Sequence, residues 1–286
     1  MKLKFPIFLT LAALVLASLA CSVNINVPQI ETGETRTLEI NEDLPTDPEP
    51  FRMTLEMSAG TFNLSSGADG LLNGTIEYNV DGWKPSIDRG SSSLSVTQGG
   101  LKNIRGVPSN NVINDWRLKL SDRVPMDLTI KAGAYKGSLD LTGLRLTTLS
   151  ITDGASDSEV RFDAPNPEVM DELDYRTGAS QVQLIGLGYA NFKDMRFEGG
   201  AGDYRLDFTG QLNQDADVTV KAGVCNLTII IPDGMKAVIH NEGAVSNINT
   251  SGTWTVSDQV YSTDGNGYTV TITLNVGVSN IKLVHR

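Results

Sequence analysis

The stretch FEGGAGDYRLDF (197–208) decides the fold. Phe197 stands three places before Gly200. After the glycine, Tyr204, Leu206 and Phe208 follow at plus four, six and eight, while Asp203, Arg205 and Asp207 occupy the odd places. Even spacing puts the apolar residues on one face of an extended strand and the charged ones on the other. Phe197, at an odd offset, would point the wrong way on a straight strand. The glycine must therefore mark a corner or bulge that restores the inward face.

The pattern repeats along the chain. Met57 and Gly60, Ile130 and Gly133, Ile151 and Gly154, Tyr175 and Gly178, Val220 and Gly223, and Leu274 and Gly277 form the same pair. An imperfect copy centres on Gly243. From Gly133 to Gly243 the spacings are 21, 24, 22, 23 and 20 residues. Leu139, Val160, Leu184, Ile229 and Leu283 recur at plus six, with Leu141, Phe162 and Ile231 at plus eight. A period of about 20–25 residues marks a stacked array, because one such layer cannot bury its own face. Neighbours ~4.8 Å apart would share one core, and six or seven layers make a body of roughly 30 Å. The expected fold is all-β: a stacked short-strand β-solenoid, β-helix-like, with an irregular N-terminal β cap. Gly60, Gly133, Gly154, Gly178, Gly200, Gly223 and Gly277 are its expected corner glycines, at φ > 0 or in a bulge at several positions and stacked in register.

The termini divide the chain further. Lys2 and Lys4 precede an apolar run, Phe5–Ala17, too short for a membrane span. Ser18-Leu19-Ala20-Cys21 follows and resembles the bacterial lipobox, with Ser18 where leucine is usual. The expected organisation is a signal peptide over 1–20, a lipidated tether over 21–33, an N-terminal β cap with a first layer over 34–123, and β-solenoid repeats over 124–286. The resemblance implies a lipid on Cys21 and attachment to the extracytoplasmic face of a bacterial membrane. Several acyl chains would anchor stably where one would not. Cys225, at plus two after Gly223, reads as a buried small residue; lipidation of Cys21 leaves it no disulfide partner.

Charge excludes one class of partner. The formal net charge is −11, and loss of Lys2 and Lys4 takes it to −13. Nucleic acid is not an expected partner. The chemistry-bearing residues are few. His240 reads as an exposed turn residue, and His285 lies beside the C-terminus; neither joins a Ser-His-Asp or Cys-His set. HExxH, CxxC and P-loop spacings are absent. GGAGDYRL (199–206) superficially resembles the calcium-binding nonapeptide, but Tyr204 stands where that repeat needs aspartate. Asp153, Asp157 and Asp203 fall near successive corners and could share an edge, more simply as solvated corners than as a cation site. No metal or cofactor is expected. Trp83, Trp116 and Trp254 do not follow the period and read as packing in the cap and loops.

Three segments carry a family resemblance: MTLEMSAGTFNLSSGADGLLNGTIEYNV (53–80), NDWRLKLSDRVPMDLTIKAGAYKGSLDLTGLRLTTLSI (114–151) and YTVTITLNVGVSNIKL (268–283). Together they resemble the bacterial toast-rack envelope lipoproteins, relatives of adhesin-like repeat domains and of the sensor domain of cell-wall-stress regulators. The resemblance covers about residues 30–286. It implies fold and location, and brings no catalytic residues. The expected function is a lipid-anchored, non-enzymatic module that presents a rigid β surface to an envelope polymer or protein partner. An envelope-stress sensor domain and a carbohydrate-active enzyme are the alternatives. The strand from Asn280 to Arg286 is expected at the open end of the stack, covered by Thr250–Gly267 or serving as a partner-binding edge.

Overall fold

The computed structural model describes residues 30–46, 50–100, 111–243 and 245–286. The proposed signal peptide, Cys21 and most of the tether lie outside these residues. In chain order the strands are β1 (Arg36–Glu42), β2 (Phe51–Ser66), β3 (Leu72–Tyr78), β4 (Ser86–Arg89), β5 (Ser93–Thr97), β6 (Asn114–Leu120), β7 (Pro125–Asp140) and β8 (Arg145–Arg161). There follow β9 (Met170–Ile185), β10 (Phe192–Asp207), β11 (Ala216–Ile231), β12 (Lys236–Asn241), β13 (Val245–Ser251), β14 (Thr255–Ser257), β15 (Val260–Thr263) and β16 (Thr269–His285).

Seven of these, β2, β7 to β11 and β16, are 16 or 17 residues long and lie parallel. Each carries two arms that meet at the glycine corner. In β10, Met195 and Phe197 are buried before the corner and Tyr204 and Leu206 after it, so the inward parity switches as the sequence requires. The arms fold toward one another. Phe197 and Tyr204, seven residues apart on one strand, meet edge-to-face at 4.9 Å, while Tyr175 of the layer below stacks on Phe197 at 5.7 Å. Leu141, Phe162, Leu187, Phe208 and Ile231 in and beside the connecting loops are buried and close the third side. One continuous apolar core runs the length of the stack.

The two ends are built alike, by layers that leave chain order. At the N-terminal end β5 pairs with the first arm of β2 and β6 with the second, Arg52 opposite Ser93 and Thr61 opposite Asp115. Antiparallel strands cover this split layer: β4 on β5, then β3 and β1 on β6. Gln98, 1% exposed, completes the corner. Its Oε1 accepts from the Ser58 N–H at 2.9 Å and its Nε2 donates to Ser58 Oγ at 2.6 Å, standing in for a peptide group.

At the C-terminal end the order differs from the expectation. The last strand, β16, is not the open end. It lies between β11 on one side and a split layer of β12 and β13 on the other, with Lys236 opposite Thr269 and Val245 opposite Val278. The hairpin β15–β14 then covers β12. The chain thus builds its terminal layer first and returns to insert β16 beneath it. The register on both flanks places Gly243 opposite Val276, one place short of Gly277, which is why that copy of the repeat is imperfect.

Candidate functional site

The corner is the feature that every long strand shares. Pairing keeps one constant offset across it, for example Gly199 to Ala222 and Ala201 to Val224, and passes over the glycines themselves. The glycines stack directly. A Cβ on Gly154 would lie 2.8 Å from the carbonyl oxygen of Gly133, one on Gly178 2.3 Å from that of Gly154, and one on Gly200 2.4 Å from that of Gly178. The series continues with Gly223 at 2.7 Å from Gly200 and Gly277 at 2.6 Å from Gly223. None of these glycines has a left-handed φ. The expectation of positive φ at the stacked corners is therefore corrected. What demands glycine there is the close approach of one layer's backbone to the next, because the Cβ position points along the stack into a carbonyl.

Gly60 needs a second correction. Met57 pairs with Ala132, so the residue of β2 in the corner row is Ser58, and a Cβ on Gly133 would lie 2.3 Å from its carbonyl oxygen. Gly60 stands two places further on, opposite Tyr135. It has φ of 145° and would place a Cβ 2.0 Å from the Asn114 carbonyl oxygen, so its glycine answers to β6 and a strained backbone.

Inside the corner the layers exchange volume. In β7, Tyr135 stands at plus two and Gly137 at plus four, and a Cβ on Gly137 would meet the Tyr135 ring at 2.3 Å. In β10 the order reverses: Gly202 at plus two gives room to Tyr204 at plus four. Either arrangement supplies one ring to the same space, as a close-packed interior requires.

At β8 and β9 the interior of the corner is polar. Asp153 is 6% exposed. Its Oδ2 accepts from Tyr175 Oη at 2.8 Å and Ser156 Oγ at 3.1 Å; its Oδ1 accepts from Thr177 Oγ1 and, at 3.3 Å, from Ser180 Oγ. Ser158 Oγ lies 2.8 Å from Tyr175 Oη, and the Ser156 N–H donates to Ser180 Oγ at 2.8 Å. The buried Tyr135 hydroxyl has no partner in hydrogen-bonding geometry. Burial, followed by the charge of Asp153, pushes Tyr135 up to about 12, against the lowering influence of the neighbouring Tyr175 and Ser158 hydroxyls. Tyr175 is raised well above the ordinary phenol value, first by burial and then by Tyr135 and Asp153.

Asp153, Asp157 and Asp203 do not share an edge. Asp153 points inward, whereas Asp157 and Asp203 are exposed on the second arm, both opposite Gln181 from successive layers. Polar residues at inward places in adjacent layers, Asp153, Ser158, Thr177 and Ser180, were the sequence signal for this network. Among the described residues no group of three or more His, Cys, Asp or Glu side chains could hold a metal ion. Cys225 is buried, its thiol pushed up first by burial and then by Asp203. His240 sits half-buried within β12, opposite Val260 and Thr273, rather than in an exposed turn. Trp83 and Trp116 are buried in the N-terminal cap, and Trp254 packs on His285.

Two overlapping segments, 29–171 and 165–230, match the family model described as the N-terminal domain of toast-rack. The chain belongs to the toast-rack family. Matching solved structures include a proposed cell adhesion protein from Clostridium sporogenes, 18% identical, with a TM-score of 0.49 over 88% of this chain and 99% of that one. A proposed adhesin from Bacteroides fragilis is 12% identical, with a TM-score of 0.39 over 90% and 99%. A proposed lipid-binding protein from Parabacteroides distasonis is 8% identical, with a TM-score of 0.42 over 89% and 99%. No curated protein matches the chain.

On the outside of this toast-rack chain the corner forms a bare ridge. Next to the glycine row run Ala134, Ala155, Ala179, Ala201, Val224 and Val278, in register and exposed; the two valines are each 60% exposed. Two places before the glycine row, Arg176 and Lys221 from the layers on either side each lie 4.0 Å from Glu198. Such exposed pairs contribute little to stability.

Proposed function

We propose that this toast-rack protein is a lipid-anchored, non-enzymatic envelope module whose corner ridge is its binding surface for an envelope polymer or protein partner. The observation that carries this reading is the exposed, in-register Ala/Val row beside a glycine row that has no side chains. It offers an apolar ledge on a backbone that cannot flex independently of the stack, and exposed apolar surface of this kind marks interaction sites. The non-enzymatic part rests on the toast-rack resemblance, which brings no catalytic residues. Anchoring rests on the lipobox resemblance at Cys21.

Two measurements test the reading. Mass spectrometry of the mature protein is expected to find a diacylglyceryl group on Cys21; an unmodified N-terminus elsewhere removes the anchor. A Val224→Glu/Val278→Glu variant is expected to sediment with purified envelope fragments several-fold less than wild type while melting within a few degrees of it. Equal sedimentation of the two proteins would remove the ridge as the binding surface.

A further inference from the structure

Away from the ridge, the loops between strands build a cleft of about 320 Å³ near the C-terminal end. It lies among three segments: 210–212 after β10, 232–235 after β11 and 266–268 before β16. Backbone hydrogen bonds preform it. The Asn266 N–H donates to the Gly234 carbonyl at 3.2 Å, the Met235 N–H closes a turn on Pro232 at 3.2 Å, and the Asp233 N–H donates to the Arg286 carbonyl at 2.9 Å. The last contact ties the cleft to the residue that follows β16.

Its lining is chemically specific. Tyr268 is half-exposed at 50%, and it is the one aromatic among the exposed large apolar residues of the described chain. Leu212, Pro232 and Met235 add apolar surface beside it. Gln211, Asn266 and Asp233 bring amide and carboxyl groups to the same space, and all three are exposed enough to meet a ligand. Lysine, arginine and histidine are absent from the lining. Outside the lining, His285 Nε2 lies 3.5 Å from Asp233 Oδ1, but that side chain is 11% exposed against 83% for Asp233, so an anionic ligand would meet the carboxylate before the basic group. An entirely apolar ligand would leave the amides without partners.

We propose that this cleft is a subsite for a neutral saccharide. Tyr268 would receive the apolar C–H face of a pyranose ring, while Gln211, Asn266 and Asp233 take its hydroxyls. Aromatic side chains with polar neighbours suit ligands that are apolar on one face and wet on the edge. The volume stands at the small end of the ligand-pocket range of roughly 300–1,000 Å³, which fits a terminal sugar or disaccharide rather than a long chain. The proposal deepens the envelope-binding reading and rests on it only for the source of the sugar.

Calorimetry and saturation-transfer NMR on the full chain, with methyl glucoside, N-acetylglucosamine, cellobiose and chitobiose as probes and galacturonic acid as the anionic control, test it. At least one neutral sugar is expected to bind saturably with Kd near ~1 mM. Tyr268→Ala is expected to weaken binding about tenfold or more. Tyr268→Phe keeps the ring and should retain most of the affinity, and Asn266→Ala should lose part of it. Unchanged melting temperatures keep these variants interpretable. Absence of saturable binding by every neutral probe, wild-type affinity in Tyr268→Ala, or preference for galacturonic acid would each overturn the proposal. None of these outcomes depends on Cys21 or on the ridge, so the two readings fail separately.

Discussion

The corner at β8 and β9 and the corner at β11 and β16 have the same backbone and opposite interiors. In the first, Asp153 gathers four hydroxyl donors within a buried shell. In the second, Cys225, Leu227, Val276 and Ile281 fill the equivalent space, and the one hydroxyl of these two strands opposite Cys225, Ser279 Oγ, is buried without a partner. Outside, both carry the same glycine-to-carbonyl approach, 2.3 Å from Gly178 to Gly154 and 2.6 Å from Gly277 to Gly223. The difference teaches that the path of the chain is set by the backbone contact between layers. The interior is then free to be polar or apolar, provided that volume is filled and a buried charge such as Asp153 is given its donors.

The largest break in this contrast is Cys225→Asp, which puts a carboxyl group into the apolar corner. Asp203 already acts on this position with the wrong sign, and the two unpaired hydroxyls beside it, Tyr204 Oη and Ser279 Oγ, replace only part of the four-donor shell around Asp153. A loss of about 3–5 kcal/mol is expected in urea unfolding, the scale of an uncompensated buried charge. A loss under about 1 kcal/mol would mean that the two corners are chemically interchangeable.

Asp153→Ala makes the complementary change. It removes the shared acceptor of the Tyr175, Thr177, Ser156 and Ser180 hydroxyls, of which Tyr175 keeps Ser158 and Thr177 keeps Ser180, and a cost of about 1–3 kcal/mol follows from the donors left short of an acceptor. Hydrogen exchange should show the opening confined to β8, β9 and their neighbours. An alanine variant as stable as wild type would reduce the network to decoration.

The smallest effect is expected from Tyr135→Phe. The hydroxyl it removes is buried without a partner, so its loss should not destabilise the protein at neutral pH and should raise stability by up to about 1 kcal/mol. Alkaline pH distinguishes the proteins. The folded value of about 12 lies above the ordinary 10, so the folded state holds this proton more tightly than the unfolded chain. That contribution is complete below pH 10 and is lost as pH rises toward about 12. Unfolding followed across this window should show a shallower decline in Tyr135→Phe. Superimposable alkaline profiles would place the tyrosine's titration outside the fold.

Much of the architecture was legible because it is local. The even and odd offsets around Gly200 state which side chains turn inward, and Phe197, Tyr204 and Leu206 are buried accordingly. The corner itself follows from the parity switch. Its mechanism was not legible, because whether a glycine answers to its own φ or to a neighbour's carbonyl depends on the layer above or below. Gly60 illustrates the limit. It satisfies the sequence pattern with Met57, yet pairing with β7 puts Ser58 in the corner row and leaves Gly60 facing Asn114.

The sequence by itself determined the repeat, the inward faces and the corner of each layer, since these arise from side-chain periodicity within some twenty residues. Only the tertiary structure decided which layers touch. It inserted β16 between β11 and the pair β12 and β13, brought Gln98 to Ser58, closed the shell around Asp153 and drew Asp233, Asn266 and Tyr268 to one cleft. The physical reason is that every arm offers the same backbone edge to its neighbour. Such edges are locally alike, and their order is resolved only when the whole stack buries its core and leaves each end covered.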